Sequence, residues 1–321
     1  MAGIIVIGAS AGGFHALMTL VSGLPADLPT PVAVVLHIGS HRSQLAEILH
    51  RRSPLEVAWA TDGMPLRPKT IHVAPPDHHL EVDGAVLRTT RGPRENLARP
   101  AIDPLFRSAA RSFGPGAIGV ILTGRLDDGT AGLHEIKRLG GIAVVQNPDT
   151  AEQPSMPRSA LKYVDVDHVS EVKDMSTLLA NLASAISVSG PTGAAVPEPE
   201  PPRVFGPPVA FTCPDCGGAL RREDVGGALL AYACHTGHRV TGQTLAAQQL
   251  QQVEHNIEST IRLLHEAEAL AKDFQATASD SGDLATAKSW QQLETRFRDA
   301  MERVLILGAS LPRPAQVELE K

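Results

Sequence analysis

A serine, a histidine and an aspartate each follow a predicted buried strand, and together they could carry out nucleophilic catalysis. Ser10 lies in a turn of small residues, GASAGG, that follows the apolar run at 4–7. His37 follows a second apolar run, and the pair Asp127-Asp128 follows a third. A serine hydroxyl becomes a nucleophile when a base takes its proton and an acid orients that base. Because parallel strands end at one edge of a sheet, we expect these side chains to converge there.

The serine and the aspartates also have another interpretation. Ser10 could cap the following helix, and Asp127-Asp128-Gly129 could cap the next one. The glycine turn could bind a dinucleotide, but the G-x-G-x-x-G fingerprint has glycine where this chain has Ser10. The second strand also ends in Leu36-His37 rather than in an acid. The spacing therefore favours a nucleophile at a strand-to-helix turn, with the dinucleotide site kept as an alternative.

Strand-like and helical apolar patterns alternate from residue 3 to about 186. Such alternation predicts an α/β fold with a mainly parallel, doubly wound sheet and helices on both faces. Asp83-Gly84 lies between two short apolar runs and predicts an inserted antiparallel hairpin with a type I′ turn. The predicted strands are 4–7, 32–36, 70–73, 118–122, 143–145 and 163–165, and the predicted helices are 14–21, 44–51, 104–112, 130–139, 159–162 and 174–186.

Composition divides the chain into five segments. Residues 1–186 form the predicted catalytic domain, and the proline-rich stretch 187–209 is a predicted linker, with an arm docked on the first domain as the alternative. Residues 210–241 form a small zinc-ribbon-like module, and 312–321 form a tail. Residues 242–311 carry two apolar stripes at helical spacing and predict a helical hairpin. Two helices that pack only on each other leave part of their apolar surface uncovered, so we further expect a dimer through these helices or contact with a partner.

The three cysteines of the chain lie in one short region together with two histidines. Cys213 and Cys216 are spaced as a CxxC knuckle, and Cys234 and His238 form a second pair with three residues between them. Three cysteines and one histidine predict a closed tetrahedral zinc site, which is structural because no position stays open. His238 is preferred to His235, whose adjacency to Cys234 would strain a chelate. Reduced thiols without a ligand are the alternative.

The composition excludes several classes of function. A net charge of −6 without a basic run argues against nucleic-acid binding, and 3% aromatic residues give few stacking platforms. No stretch of about 18 apolar residues occurs, so the chain is not expected to be membrane-inserted. The N-terminal apolar run is broken by glycines and predicts a strand rather than a signal peptide. Together with the odd cysteine count, this predicts a reduced, cytoplasmic protein.

A series of short motifs runs through the first 186 residues in a fixed order. They are IGASAGG at 7–13, His37, VAPPDHH at 73–79, RPAIDPLF at 99–106, VILTG at 120–124, Asp128-Gly129, Gln146-Asn147 and Met156-Pro157. On these motifs, residues 3–186 resemble the catalytic domain of the CheB-type chemotaxis methylesterases, the protein-glutamate methylesterase family. The resemblance implies that Ser10 is the nucleophile, His37 the general base and Asp128 the residue that orients it, because the family aspartate directly precedes a glycine.

The resemblance implies a serine esterase that hydrolyses glutamate methyl esters on a methylated chemoreceptor-like protein, with no cofactor for catalysis. Deamidation of receptor glutamines would follow the same chemistry. The backbone N–H groups of Ala11 and Arg125 are expected to hold the oxyanion. His79 and Arg99 are candidate substrate-binding residues. Residues in the position of His79 are more often placed behind the site or on the surface, and Arg99 could pair with an acid such as Asp103.

The chain departs from the family pattern at three places. Ala11 stands where the family usually has threonine, and Gly124-Arg125-Leu126 stands where it has Gly-Met-Gly. Relatives usually carry a receiver domain before the catalytic domain, which here starts at residue 3. Control of access is therefore expected from the C-terminal extension or from a partner. The alternative function is a catalytically weak regulatory or adaptor protein that binds partners through the zinc module and the helices.

Overall fold

The structure is a computed structural model that describes residues 3–189 and 205–312. It divides into two compact units, Met1–Leu245 and Ala246–Glu320. Within the described residues, no helix is both long and apolar enough to cross a membrane.

Seven parallel strands form the main sheet of the first unit, and two further strands form a separate antiparallel hairpin. The order in the main sheet is β3-β4-β2-β1-β7-β8-β9, and β5 pairs with β6. The strands are β1 (Ile4–Ala9), β2 (Val32–Leu36), β3 (Glu56–Trp59), β4 (Thr70–Val73), β5 (His79–Asp83), β6 (Val86–Thr90), β7 (Ala117–Ile121), β8 (Ile142–Gln146) and β9 (His168–Ser170).

Six helices cover the two faces of this sheet. Side chains alternate between the faces of a strand. Ile5 and Ile7 of the central strand therefore enter one core, and Ile4 and Val6 enter the other. The doubly wound α/β class predicted from the sequence is confirmed. The helices are α1 (Gly13–Ser22), α2 (Leu45–His50), α3 (Ile102–Phe113), α4 (Thr130–Arg138), α5 (Ser155–Tyr163) and α6 (Val172–Ser189).

Two short strands and one turn differ from the sequence prediction. The strand β3 lies at the sheet edge, is only partly buried, and has no clear apolar signal in the sequence. The strand expected at 163–165 is replaced by the end of α5, and the last strand is β9. In the hairpin the two central residues are Gly84 and Ala85, and of these only Gly84 has a positive φ, +58°.

The order of the strands reverses beside β1. The chain leaves β1 toward β2 on one side, and the strands from β7 onward extend on the other side. Open parallel sheets bind ligands beyond the carboxyl ends of their strands at such a reversal. The loops after β1, β2 and β7 therefore surround the expected site.

Four antiparallel strands form a small module at the end of the first unit. They are β10 (Phe205–Thr212), β11 (Ala219–Glu223), β12 (Ala231–Cys234) and β13 (Arg239–Thr241), in that order in the sheet. Leu220, Val240 and Leu245 lie in its buried cluster. Of the predicted linker 187–209, residues 190–204 lie outside the described residues, while 187–189 end α6 and 205–209 begin β10.

Two long helices, α7 (Gly242–Asp280) and α8 (Leu284–Ser310), close the described chain. In the second unit they run antiparallel, since Phe274 stacks on Trp290 and Glu268 accepts from Arg298. Asp283 caps α8 by accepting a hydrogen bond from the N–H of Thr286 at 3.1 Å. The predicted C-terminal helices are thus present. Of the predicted tail 312–321, residues 313–321 lie outside the described residues.

Candidate active site

Ser10, His37 and Asp128 form a continuous hydrogen-bonded chain at the carboxyl end of the sheet. The Ser10 Oγ lies 3.0 Å from His37 Nδ1, and His37 Nε2 lies 2.8 Å from Asp128 Oδ2. The His37 side chain keeps 22% of its surface exposed, whereas that of Asp128 keeps 4%. The structure thus brings together the three residues that the sequence singled out, with the acid buried and the base open to the crevice.

The turn after β1 presents Ser10 to the crevice. The Ser10 N–H donates to the carbonyl of Thr123 at 3.1 Å, which ties the turn to the loop after β7. The cap residue of α1 is Gly12, with φ +73°, a left-handed conformation that glycine adopts without strain. No side chain caps this helix, so the Ser10 hydroxyl points to His37 instead of serving as a cap.

His37 directly follows β2 and continues its pairing with the central strand. Its N–H donates to the carbonyl of Ala9 at 3.2 Å, so its backbone is fixed one residue from the nucleophile turn. Neighbouring parallel strands therefore place the base beside Ser10. This adjacency is what the sequence argument assumed.

Asp128 is buried and held by donors from several directions. Its Oδ2 accepts from the N–H of Ile102 at 2.7 Å, at the start of α3, and its Oδ1 accepts from Asn96 Nδ2 at 2.8 Å. Burial opposes ionisation of the carboxyl. The hydrogen bond and charge of His37 and the donor groups of Ile102 and Asn96 outweigh it and hold the pKa of Asp128 below its ordinary value. Asp128 is therefore an ionised acceptor.

The charge on Asp128 decides the tautomer of His37. An ionised carboxylate only accepts hydrogen bonds, so Nε2 of the neutral imidazole carries the proton that is shared with Asp128. Nδ1 is then unprotonated and faces the Ser10 hydroxyl. This is the state in which the imidazole can take the serine proton.

A second carboxylate, Asp103, lies behind the triad. Its Oδ1 accepts from the N–H of Gly132 in the first turn of α4 at 2.7 Å, and its Oδ2 accepts from Asn96 Nδ2 at 2.9 Å. Burial and the nearby charge of Asp128 raise the pKa of Asp103 well above its ordinary value. Negative charge is therefore concentrated on Asp128, next to His37.

Asp127, the neighbour of Asp128 in sequence, points away from the triad toward the C-terminal module. Its Oδ1 accepts from the hydroxyls of Thr241 at 2.6 Å and Thr244 at 2.8 Å. Oδ2 is buried and has no hydrogen-bond partner within the described residues. Burial raises the pKa of Asp127 to about 6, against the two threonine hydrogen bonds. The structure thus gives the two aspartates different environments.

The residues predicted to hold an oxyanion lie on the two loops that meet at Ser10. The N–H groups of Ser10 and Gly124 are used within the fold, by the carbonyls of Thr123 and Gln153. The next amides along these loops belong to Ala11 and Arg125. A Cβ added at Gly124 would lie 2.9 Å from Ser10 Cβ, so the absence of a side chain lets the second loop approach the nucleophile. The oxyanion assignment stays a prediction.

The candidate substrate-binding residue His79 lies buried behind the crevice. This side chain is 2% exposed, and both ring nitrogens contact the main chain. Nδ1 accepts from the N–H of Ala101 at 3.3 Å, which leaves the proton on Nε2, 3.0 Å from the Pro93 carbonyl. Burial lowers the pKa of His79. His79 therefore holds the segment between the hairpin and α3 in place.

Arg99 is likewise engaged within the protein. Its Nε and Nη2 donate to Asp77 Oδ1 at 3.0 and 2.7 Å, and Nη1 donates to the carbonyl of Gly92 at 2.8 Å. The hydrogen bond from Arg99 is the largest cause of a lowered pKa at Asp77. Arg99 is thus paired with an acid of the protein, as in the alternative to binding a carboxylate of the substrate. The acid is Asp77 instead of Asp103.

Cys213, Cys216, Cys234 and His238 converge in the turns of the module. Their donor atoms all lie within 4.8 Å of one another. Cys213 and Cys216 occupy the turn between β10 and β11, Cys234 ends β12, and His238 lies in the turn between β12 and β13. In both turns a backbone N–H returns to the first cysteine's carbonyl, from Gly217 at 2.8 Å and from Gly237 at 3.0 Å.

The spacing of these donors fits a tetrahedral zinc ion. Zn–S bonds of about 2.3 Å and Zn–N bonds of about 2.05 Å require S–S edges of about 3.8 Å and S–N edges of about 3.6 Å. The Sγ atoms of Cys216 and Cys234 are 3.7 Å apart, and Cys234 Sγ lies 3.5 Å from His238 Nδ1. A hydrogen bond from the Thr236 hydroxyl is the largest of the causes that lower the pKa of Cys216 to about 6, which favours the thiolate form. The residues therefore fit the metal.

Two groups next to the triad, Asn96 and the pair Thr241 and Thr244, were not found by sequence reasoning. Asn96 lies in a loop, and the threonines lie more than 110 positions beyond Asp127 in the chain. No local spacing marks such contacts. The sequence shows that the module follows the catalytic domain, but not that the two contact each other at Asp127 and Asp128.

Comparison with known proteins agrees with this geometry. The family profile described as CheB methylesterase matches residues 5–179. A Leptospira interrogans protein is 38% identical over 180 residues, which cover 56% of this chain and 93% of that protein. Protein-glutamate methylesterase/protein-glutamine glutaminase 2 of Anaeromyxobacter dehalogenans is 40% identical over 180 residues, which cover 56% of this chain and 53% of that protein.

A solved structure gives the same result for the fold. The crystal structure of the Thermotoga maritima CheB methylesterase catalytic domain superposes with a TM-score of 0.54 at 31% identity. It covers 56% of this chain and 98% of that domain. Because the family profile spans more than half of the sequence and encloses Ser10, His37 and Asp128, the chain belongs to the CheB methylesterase family.

Proposed function

We propose that this protein is a serine esterase that hydrolyses glutamate γ-methyl esters on a methylated chemoreceptor-like protein. The observation that carries the proposal is the relay from Ser10 through His37 to the ionised Asp128. The name of the Anaeromyxobacter dehalogenans relative, protein-glutamate methylesterase/protein-glutamine glutaminase 2, supports the substrate class.

The first half of the reaction forms an acyl-enzyme. Ser10 Oγ attacks the ester carbonyl carbon while His37 Nδ1 takes the hydroxyl proton, and Asp128 stabilises the imidazolium that results. The oxyanion is held by the N–H groups of Ala11 and Arg125. When the C–O bond to the methoxy group breaks, His37 returns the proton and methanol leaves.

The second half releases the product. His37 removes a proton from water, the hydroxide attacks the acyl carbon, and the proton passes to Ser10 Oγ as its bond to carbon breaks. The product is the glutamate carboxylate. Glutamine deamidation follows the same steps with ammonia as the leaving group, and the glutaminase activity in the name of the Anaeromyxobacter dehalogenans relative supports it as a second activity of this site.

The proposal is tested by methanol release from methylated receptor membranes. Wild type is expected to release methanol and to be labelled by a fluorophosphonate, and Ser10→Ala is expected to do neither. Ser22→Ala, in the last turn of α1, is the matched control and should behave as wild type. Wild-type protein without methanol release and without labelling would favour a regulatory or adaptor role. Saturable nucleotide binding that survives Ser10→Ala would support the dinucleotide alternative.

We propose a structural zinc ion at Cys213, Cys216, Cys234 and His238, with no cofactor in the catalytic step. The fit of the donor distances supports zinc. When bound, the metal joins the two turns that carry its ligands, next to the small buried cluster that contains Leu220 and Val240. Its effect on the protein is therefore expected in stability.

We further propose a cytoplasmic location and a dimer through the C-terminal helices. Three free cysteines support a reducing compartment.

The dimer is supported by an exposed apolar segment of α8. Leu305, Ile306 and Leu307 are each about half exposed or more, which supports an apolar contact with a second copy. Sedimentation of the full chain tests this. A monomer at all concentrations, or a dimer unchanged by Ile306→Glu, would contradict it.

A further inference from the structure

Asn96 connects the catalytic aspartate to the C-terminal module. Its Nδ2 donates to Asp128 Oδ1 at 2.8 Å and to Asp103 Oδ2 at 2.9 Å, and its Oδ1 accepts from the N–H of Thr241 at 3.0 Å. The partners fix the orientation of the amide, since carboxylates accept and a backbone N–H donates. Both N–H groups of the amide and its carbonyl oxygen are therefore engaged, in one orientation of the group.

The backbone around Asn96 is paired with β13 of the module. The N–H of Asn96 donates to the carbonyl of Arg239 at 2.9 Å, and the N–H of Arg239 donates to the carbonyl of Arg94 at 3.3 Å. Asn96 has φ +49°, a left-handed conformation that asparagine adopts more readily than most residues. The loop that carries Asn96 is thus shaped by the module as well as by its own sequence.

Buried charges fix the same contact. Arg107 Nη2 donates to both carboxylate oxygens of Glu95 at 2.7 Å, and Arg239 Nη2 donates to Glu223 at 2.6 Å. Arg239 Nη1 also lies 3.7 Å from Glu95. Of these contacts, the one between Arg239 and Glu95 joins the module to the catalytic side, and removing the module would take that cation away from Glu95. Charges buried in this way are costly to separate.

The metal-binding turn leads directly into β13. His238 immediately precedes Arg239, and its carbonyl accepts from the N–H of Cys234 at 3.0 Å. The position of β13 therefore depends on whether the Cys234–His238 turn is closed. A metal ion held by four ligands closes that turn against Cys213 and Cys216.

We propose that Asn96 is a positioning residue for Asp128, through which metal binding in the C-terminal module sets the geometry of the catalytic triad. The sequence of contacts runs from His238 to β13, from β13 to Asn96, and from Asn96 to Asp128. Asp127, the residue before Asp128, forms a second contact with this part of the chain by accepting hydrogen bonds from Thr241 and Thr244. The inference rests on the proposed function only in the role that it gives to Asp128.

The test follows the proton that His37 Nε2 shares with Asp128. In the full-length, zinc-loaded protein this proton should give a downfield NMR signal, assigned by its absence in His37→Gln. Asn96→Asp keeps an oxygen for Thr241 but has no donor for Asp128. It should shift or remove the signal at unchanged zinc content and lower kcat for methanol release about 10- to 100-fold, the order expected when a hydrogen bond to a charged group is lost. Asn256→Asp, on α7, is the matched control and should change neither.

Zinc removal supplies the second arm. Chelation of the wild-type zinc should shift or remove the signal, and added zinc should restore it. If Asn96→Asp does not fold, Asn96→Gly tolerates the positive φ and tests the same loss of a donor. An unchanged signal in the folded Asn96 variant, or an unchanged signal in protein shown by metal analysis to lack zinc, would overturn the inference. A signal that follows zinc in a protein without esterase activity would reject the proposed function and leave this inference standing.

Discussion

The Nε2 atom of His37 lies 2.8 Å from the Oδ2 atom of the buried carboxylate of Asp128. This contact fixes the proton on the nitrogen that faces away from Ser10 and leaves Nδ1 as the acceptor. The triad of this protein thus runs from serine to Nδ1 and from Nε2 to aspartate. The function of Asp128 is to select that tautomer and to stabilise the charge that forms on the ring.

Asp128→Asn tests this tautomer argument. The amide would donate to Nε2, move the ring proton to Nδ1 and remove the acceptor for the serine proton. We expect methanol release to fall about 10³- to 10⁴-fold, as when the aspartate of a serine protease triad is replaced by asparagine, while the fold persists. Steady-state rates on methylated membranes measure the effect, with the exposed Asp27→Asn as control. A rate equal to that of wild type would remove Asp128 from the mechanism.

Gly124→Ala tests the close approach of the two loops at the nucleophile. The added Cβ would lie 2.9 Å from Ser10 Cβ and 2.7 Å from Met156 Sδ. The Met156 side chain is flexible and can move away from the added Cβ. Ser10 cannot move away freely, because its N–H is bonded to the carbonyl of Thr123, the residue before Gly124. The clash therefore displaces the Ser10 side chain from its position beside His37. We expect fluorophosphonate labelling of Ser10 to slow at least about tenfold, since small displacements of reacting groups cost up to about 10²-fold. Gly92→Ala, whose Cβ has a nearest neighbour at 3.5 Å, is the control, and equal labelling of the two variants would reject the argument.

The sequence allowed the fold and the triad to be predicted because both depend on local signals. Buried parallel strands appear as apolar runs, and in this class of sheet the chemistry lies directly after them, as with Ser10 and His37. The edge strand β3 was missed because a partly buried strand has no such run. The ligand pairs Cys213-Cys216 and Cys234-His238 are also local and were visible for that reason.

The roles of His79, Arg99 and Asn96 depend on partners distant in sequence. Arg99 pairs with Asp77, 22 positions away, and Asn96 contacts Thr241, 145 positions away. A histidine or arginine beside a predicted site has the same appearance in the sequence whether it meets substrate or the main chain. Only the tertiary structure decides between these roles.

The pair His238→Ala and His235→Ala tests the metal site with matched substitutions. His238 contributes a donor atom to the cluster, whereas His235 lies next to it and has its Nε2 3.4 Å from the Thr236 hydroxyl. We expect one zinc ion per chain in wild type and in His235→Ala, and a loss of zinc in His238→Ala. Chelation should lower the melting temperature of wild type, because binding free energy at a structural zinc site contributes to folding. Zinc retained by His238→Ala, or a melting temperature unaffected by zinc removal, would contradict the assignment.

Asp127→Asn tests the buried carboxyl that faces the module. Burial raises the pKa of Asp127 from its ordinary value of 3.8 to about 6, so the folded protein binds this proton more tightly than the unfolded chain does. The proton contributes stability that is fully present below about pH 4 and is lost as the pH rises through about 6. A difference of about 2 pKa units corresponds to about 3 kcal/mol. Relative to wild type, Asp127→Asn should therefore gain up to about 3 kcal/mol between pH 4 and pH 8.

Urea unfolding of the first unit can report this difference by itself. The chain has two tryptophans, Trp59 in β3 and Trp290 in α8, so a Trp290→Phe background leaves fluorescence from the first unit alone. In Asp127→Asn, an NH2 group at the position of Oδ2 would find no acceptor. This changes the free energy of unfolding of the variant by the same amount at every pH. The change in the difference with pH is thus the quantity that reports the titration. A difference between variant and wild type that stays constant from pH 4 to pH 8 would show that Asp127 is ionised throughout, with its charge compensated by the hydroxyls of Thr241 and Thr244.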